Sequence, residues 1–232
     1  MTGVEALVRW QHPERGLVSP GLFLPVVEKS TLAPILGEIV IDNALAAARS
    51  WLDQGLDFGR VSINLSPSHL ASGLLVEHFK SAMARHDVSP ERITAEVLES
   101  VFLNDNRSGH QAALQELYEL GVHIELDDFG TGYASLTHLS DLPINGLKID
   151  QSFTRQMLED DKKEAVVNHL IHLARALNIG VICEGVETEE QYDRLRMMGD
   201  FSIQGYLIAR PMTFDKVTEW MSESSNDLYY VV

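Results

Sequence analysis

The chain is nearly free of cysteine, poor in basic residues and without any long apolar run, and each shortage removes a class of function. Its one cysteine, Cys183, cannot close an internal disulfide and sits in the apolar stretch Gly180-Val181-Ile182-Cys183, the setting of a small buried core residue. Cysteine-based zinc binding and dithiol redox chemistry are thereby excluded. Lys and Arg number 18 against 34 Asp and Glu, a net charge of −16. Such a surface repels a polyphosphate backbone, so no nucleic-acid polymer is expected as a partner. No apolar run approaches the ~20 residues that cross a bilayer, and residues Met1–Trp10 lack the basic, apolar and small-residue order of a signal peptide. A cytoplasmic location is expected, free or as the cytoplasmic part of a membrane-anchored protein, with no membrane contact by this segment. The nine histidines show no HExxH or related spacing and are assigned to surface and core.

Apolar residues make up 45 % of the 232, enough for a sizeable core. Short β-branched runs alternate with longer amphipathic stretches, the βαβα order of a mostly parallel sheet. Strands are predicted at Val4–Arg9, Val61–Leu65, Ile93–Val97, Val122–Asp127, Gly146–Ile149, Val181–Glu184 and Ser202–Tyr206. Helices are predicted at Ala33–Gln54, ended by Gly55, and at Leu74–His86, Gly109–Leu120, Lys162–Leu177 and Thr188–Met198. The last opens on a capping box, with Thr188 as N-cap and Gln191 three residues on. The fold class is α/β, a TIM-like (β/α)8 barrel one strand short, and the shortfall lies at the front of the chain.

Polar residues gather at the ends of these strands. Asn64, Glu96 with Glu99, Asp127 with Asp128, Lys148 with Asp150, Glu184 with Glu187, and Gln204 all fall where a parallel barrel builds its active site. An unpaired buried charge costs several kcal/mol, roughly, and carboxylates sharing one rim repel one another. Hard cations among them resolve both problems, because magnesium and manganese favour carboxylate, amide and water oxygens. Two adjacent acids, Asp127 and Asp128, suit a two-metal site with one carboxylate bridging. Lys148 would then balance charge and orient a water or phosphate oxygen. Singly, each residue has a plainer reading: a solvated loop acid, a helix-start charge, or turn chemistry before Gly130 and Gly132. Independent plain readings at so many strand ends are improbable together.

The same residues carry a resemblance. Glu5-Ala6-Leu7-Val8-Arg9-Trp10, then His12-Pro13, Gly16, Pro20, Phe23, Pro25 and Glu28, resemble the signature of the EAL-domain cyclic-di-GMP phosphodiesterases. Ser62–Ser66, Glu96–Ser100, Asp127–Tyr133, Leu147–Asp150, Glu184–Glu187, Gln204–Tyr206 and Pro211 follow in the family's order. The resemblance implies a barrel hydrolase that opens cyclic-di-GMP to linear pGpG with two Mg2+ or Mn2+ ions, and it implies inhibition by Ca2+. By matched position Glu5, Asn64, Glu96 and Asp127 would ligate the first ion, and Asp127 would bridge to a second held with Asp128. Glu184 and Lys148 would position or activate the attacking water, and Arg9 and Gln204 would contact substrate or the site's waters. Glu99 would brace the loop Asp128–Tyr133, with Asp150 and Glu187 supporting the site.

The resemblance further implies a homodimer formed beside the acidic loop and a place next to sensory or diguanylate-cyclase (GGDEF) modules. The domain is expected over residues 1–221, without the family's opening helix and strand, and residues 222–232 form a tail of unassigned role. Leu98 stands where the family commonly has threonine. A degenerate module that binds cyclic-di-GMP without cleaving it is the competing reading, and a different metal-dependent barrel enzyme, for example one stabilising an enolate, is the third.

Overall fold

The computed structural model describes residues 1–103, 107–130, 139 and 142–224. Seven parallel strands form one curled sheet, in the order β1 (Gly3–Ala6), β4 (Arg60–Asn64), β5 (Ile93–Leu98), β6 (His123–Phe129), β7 (Gly146–Ile149), β8 (Gly180–Glu184) and β9 (Ser202–Gln204). Every predicted strand is present, although the first and last are shorter than their apolar runs. Among the described residues β1 and β9 are unpaired edges, so hydrogen bonding leaves the barrel open at the seam between them. A side-chain bond from Gln204 Nε2 to Glu5 Oε2, 2.6 Å, spans that seam at the mouth.

The helices pack outside the sheet. The long helix α2 (Ala33–Asp53) buries Ile41, Ala44, Leu45, Ala48 and Trp51 at helical intervals. Gly55, at φ +69°, ends it, with Leu56 N–H donating back to the Trp51 carbonyl. Trp51 stacks on Phe214 at 5.4 Å and donates its indole N–H to Thr218, which fastens α9 (Phe214–Ser224) over the seam. Helices α4 (Leu75–His86), α5 (Arg107–Glu119), α7 (Asp161–Leu177) and α8 (Glu189–Arg196) complete the outer ring, within two residues of prediction at most ends. Cys183 is fully buried, and burial pushes its thiol up to about 12.

Five short elements, and the helix α9, went unpredicted. Strands β2 (Trp10–His12) and β3 (Gly16–Val18) form an antiparallel hairpin, and α1 (Pro20–Val27) follows it. Pro20 suits a first helical position, whereas Pro25 argues against a helix from sequence yet removes only one backbone bond here. The others are α3 (Pro67–Ala71) and α6 (Gln151–Thr154), both too short for periodicity to show.

On α3, His69 is 1 % exposed, its ring lies where a Cβ on Gly37 would stand, and its Nε2 is 2.9 Å from His78 Nδ1. Burial, then the neighbouring His78, holds the ring down to about 4 from its ordinary 6.5. The fold keeps this ring neutral where the unfolded chain would protonate it. Its contribution is therefore full above pH 6.5 and lost as pH falls toward 4, by up to about 3 kcal/mol. Thermal unfolding of wild type and His69→Leu across pH 4 to 7 should show a shallower acid slope in the variant; equal slopes would count against this assignment.

Candidate active site

Register places the acids. Parallel pairing sets Glu5 beside Ser62, Asn64 beside Glu96, and Glu184 beside Gln204, so side chains that alternate along each strand point together into the barrel. Asn64 Nδ2 donates to Glu5 Oε1 at 2.6 Å, while Gln204 holds the other oxygen of the same carboxylate. Glu5 is thus fixed from β4 and β9 at once.

Consecutive residues of a regular strand point to opposite faces, so Asp127 and Asp128 should not share a site. They do share one, because the β6–β7 register slips. Leu126 pairs with Leu147 and Phe129 with Ile149, so both aspartates oppose Lys148 alone. Asp128 absorbs the irregularity with φ +55°, a left-handed conformation that aspartate tolerates better than most residues. Oxygens of Asp127, Asp128 and Glu184 consequently lie within 4.8 Å of one another, close enough to hold one metal ion.

Lys148 is the centre of charge. At 2 % exposure its Nζ is 2.8 Å from Glu96, 2.8 Å from Glu184, 3.1 Å from Asp127 and 3.9 Å from Glu5. Burial disfavours its ammonium, but these carboxylates outweigh burial and raise it well above its usual range. The acids move up as well. Burial pushes Glu96 to about 8, with Lys148 partly opposing, and burial likewise carries Glu184 to about 7. Asp128 rises to about 6 through burial, then through Asp127 and Asp150. One lysine is too little positive charge for so many acids. Asp127 Oδ1 is buried with no hydrogen-bond partner among the described residues, its only neighbour of opposite charge being Lys148. A buried hard oxygen so placed fits a divalent cation.

The remaining candidates stand around this core. Glu99 Oε2 accepts from the Gly130 N–H at 3.1 Å, at the start of the acidic loop; Thr131–Tyr133 lie outside the described residues. Asp150 caps α6 by accepting from Ser152 N–H. Glu187 turns to Arg155, 2.7 Å away, instead of toward the acids. Arg9 is exposed beyond the end of β1, and its guanidinium donates to the Val8 carbonyl. It lines a groove of about 610 Å³ that also holds Glu5, Gln204, Tyr206, Arg210 and Pro211.

This constellation sits on a chain whose residues 1–211 match the family described as the EAL domain. The chain belongs to the EAL-domain family. It is 42 % identical over 217 residues to the Pseudomonas aeruginosa bifunctional diguanylate cyclase/cyclic di-GMP phosphodiesterase MucR, covering 94 % of this chain and 32 % of that one. It is 38 % identical over 220 residues to the cyclic di-GMP phosphodiesterase PA2567 of the same organism, covering 95 % and 37 %. The chain thus spans about a third of the length of these curated relatives. Its fold matches the PaMucR phosphodiesterase in a c-di-GMP complex with a TM-score of 0.88 at 41 % identity, covering 94 % and 87 %.

In this EAL chain sequence reasoning missed two polar residues beneath the acids. His123 and Glu125 share the inward face of β6 with Asp127 and line a cavity of about 350 Å³ with Arg60 and Thr94. Burial pushes Glu125 up to about 7 and His123 down to about 4. The signal was available: polar residues at 123, 125 and 127 alternate with Ile124 and Leu126. Gly146 makes the room, since a Cβ there would stand 2.9 Å from Glu125 Cγ. Leu98 packs at the edge of the core opposite Asp127 in register.

Proposed function

We propose that the chain hydrolyses cyclic-di-GMP to linear 5′-pGpG with two divalent cations, Mg2+ or Mn2+. The observation that carries this reading is the ring of Glu5, Asn64, Glu96, Asp127, Asp128 and Glu184 around one buried lysine, on a fold like that of a phosphodiesterase bound to the same nucleotide. Glu5, Asn64, Glu96 and Asp127 would hold one cation, and Asp127 with Asp128 a second. Bound there, the cations supply Lewis-acid stabilisation of the phosphodiester and favour ionisation of water near neutral pH.

The chain's own groups do the rest. Glu184 takes the proton of the attacking water, whose oxygen forms a new bond to phosphorus while the bond to the 3′ oxygen breaks and that oxygen takes up a proton from solvent. Lys148, bonded to Glu184 and Glu96, keeps that carboxylate oriented and offers positive charge to the phosphate. Gln204 fixes Glu5, and Arg9 lies on the groove that a dinucleotide would enter. With a net charge of −16 the protein repels a dianionic substrate unless cations intervene. Ca2+ binds similar oxygens with looser geometry and should inhibit by displacing the smaller ions.

Purified protein incubated with cyclic-di-GMP and Mn2+ should release pGpG on chromatography, and chelator or excess Ca2+ should stop it. Binding without any pGpG would favour a receptor role instead. Two broader proposals accompany this one. The chain works as a homodimer, checked by light scattering, where a monomeric mass at high concentration would oppose it. It also works beside sensory or diguanylate-cyclase modules in the cytoplasm, an arrangement suggested by the bifunctional name of MucR. No helix among the described residues is long and apolar enough to cross a membrane.

A further inference from the structure

Gln191, on α8, is 6 % exposed, and its amide bonds to two separate segments. Its Oε1 accepts from the backbone N–H of Glu187 at 2.7 Å and of Thr188 at 3.1 Å, and its Nε2 donates to the carbonyl of Thr154 at 3.4 Å. The Thr188 bond is half of an ordinary capping box, completed by Thr188 Oγ1 accepting from Gln191 N–H. The bonds to Glu187 and Thr154 have nothing to do with capping. Thr154 ends α6, the turn that follows Lys148 and Asp150, and Glu187 closes the loop that follows Glu184. The amide therefore ties the end of β7 to the end of β8, where Lys148 and Glu184 meet at 2.8 Å.

The tie acts through a loop with little freedom. Gly185 has φ +67°, and a Cβ there would come 2.5 Å from Gln151 Cβ, so the loop rests directly on α6. Gly205 leaves no space for a side chain over Val186, whose N–H donates to the Gln204 carbonyl and whose carbonyl accepts from Leu207. A shift of Glu187 cannot be absorbed within Gly185–Glu187 and must reach Glu184, Gln204 or both.

We infer that Gln191 is a positioning residue for hydrolysis: its amide holds the Gly185–Glu187 loop, and through it sets Glu184 against Lys148 and Gln204. This inference rests on the hydrolytic reading above. Wild type, Gln191→Met, Gln191→Glu and Thr188→Ala are compared for cyclic-di-GMP hydrolysis with Mn2+ and for thermal unfolding. Thr188→Ala removes the cap but keeps the amide's bonds, so its Tm should drop by about 2–4 °C with kcat within about twofold of wild type. Gln191→Met should lower kcat about 10- to 100-fold with KM changed less than about threefold. Gln191→Glu retains an acceptor for both backbone N–H groups but loses the donor to Thr154, and should recover only part of that loss. A loss of kcat in Gln191→Met no greater than in Thr188→Ala overturns the assignment. Amide hydrogen exchange of the wild type tests the clamp without any variant having to fold. The Glu187 N–H should exchange as slowly as those inside α8, and fast exchange there overturns it too. A wild type that binds cyclic-di-GMP but releases no pGpG defeats the hydrolytic reading instead, and the exchange measurement then still judges the clamp.

Discussion

Asp127→Asn is expected to lower kcat for cyclic-di-GMP by about a thousandfold or more, equivalent to roughly 4 kcal/mol of lost transition-state stabilisation. One oxygen of the carboxylate is 3.1 Å from Lys148, and its ligand atom lies within 4.8 Å of those of Asp128 and Glu184, so in the proposed two-cation site it is the acid that would serve both ions. An amide has nearly the same shape but no charge to share. The loss should therefore come without unfolding. Removing one of several mutually repelling acids should leave the metal-free Tm unchanged or slightly higher, while calorimetry shows weakened Mn2+ binding. Activity within tenfold of wild type would refute the bridging role, and a collapse of Tm would show that the residue holds the fold instead.

Lys148→Met has a different signature, because it takes away the one positive charge among four acids. Stripping one partner from a buried ionic cluster costs about 3–5 kcal/mol, so the metal-free variant should melt about 6–20 °C lower at pH 8. The sign of its pH dependence follows from the acids. Burial already holds Glu96 up at about 8 and Glu184 at about 7, above their unfolded value of 4.5. Without the lysine both carboxyls rise further. The folded variant then binds more protons than the unfolded chain, so its stability is greatest at low pH and falls as pH rises through that range. Mn2+ restores the missing charge and should raise the variant's Tm more than it raises that of wild type. Hydrolysis should remain crippled even with metal, since methionine neither orients Glu184 nor meets a phosphate. A variant that melts like wild type at pH 8 without metal would show that Lys148 does not neutralise the cluster.

Much of this site was legible beforehand for a simple reason. Glu96, Asp127, Lys148 and Glu184 each interrupt or close an apolar β-branched run, and a charged residue there stands out against its neighbours whatever the tertiary structure. Asn64 and Gln204 fall by the same alternation, and the Thr188–Gln191 capping box is a local pattern that folding left unaltered. Residues whose importance depends on a distant partner were harder to read. Glu125 looks like an ordinary strand polar residue until Gly146 is seen to leave it space inside the barrel. Glu187, read as a supporting acid, gives no sign in the sequence of its ion pair with Arg155. Gln191 reads only as a cap until Thr154 and Glu187 arrive from other segments. The hairpin Trp10–Val18 and helix α1 lie in stretches too short, or too rich in proline, for periodicity to register.

By itself the sequence determined that acids would line the carboxyl ends of parallel strands, since strand periodicity and apolar runs are properties of neighbouring residues. Only tertiary pairing decided that Asp127 and Asp128 both face the site. That outcome needs the slipped register against β7 and the left-handed turn at Asp128, and a register is a relation between two strands that neither strand encodes alone.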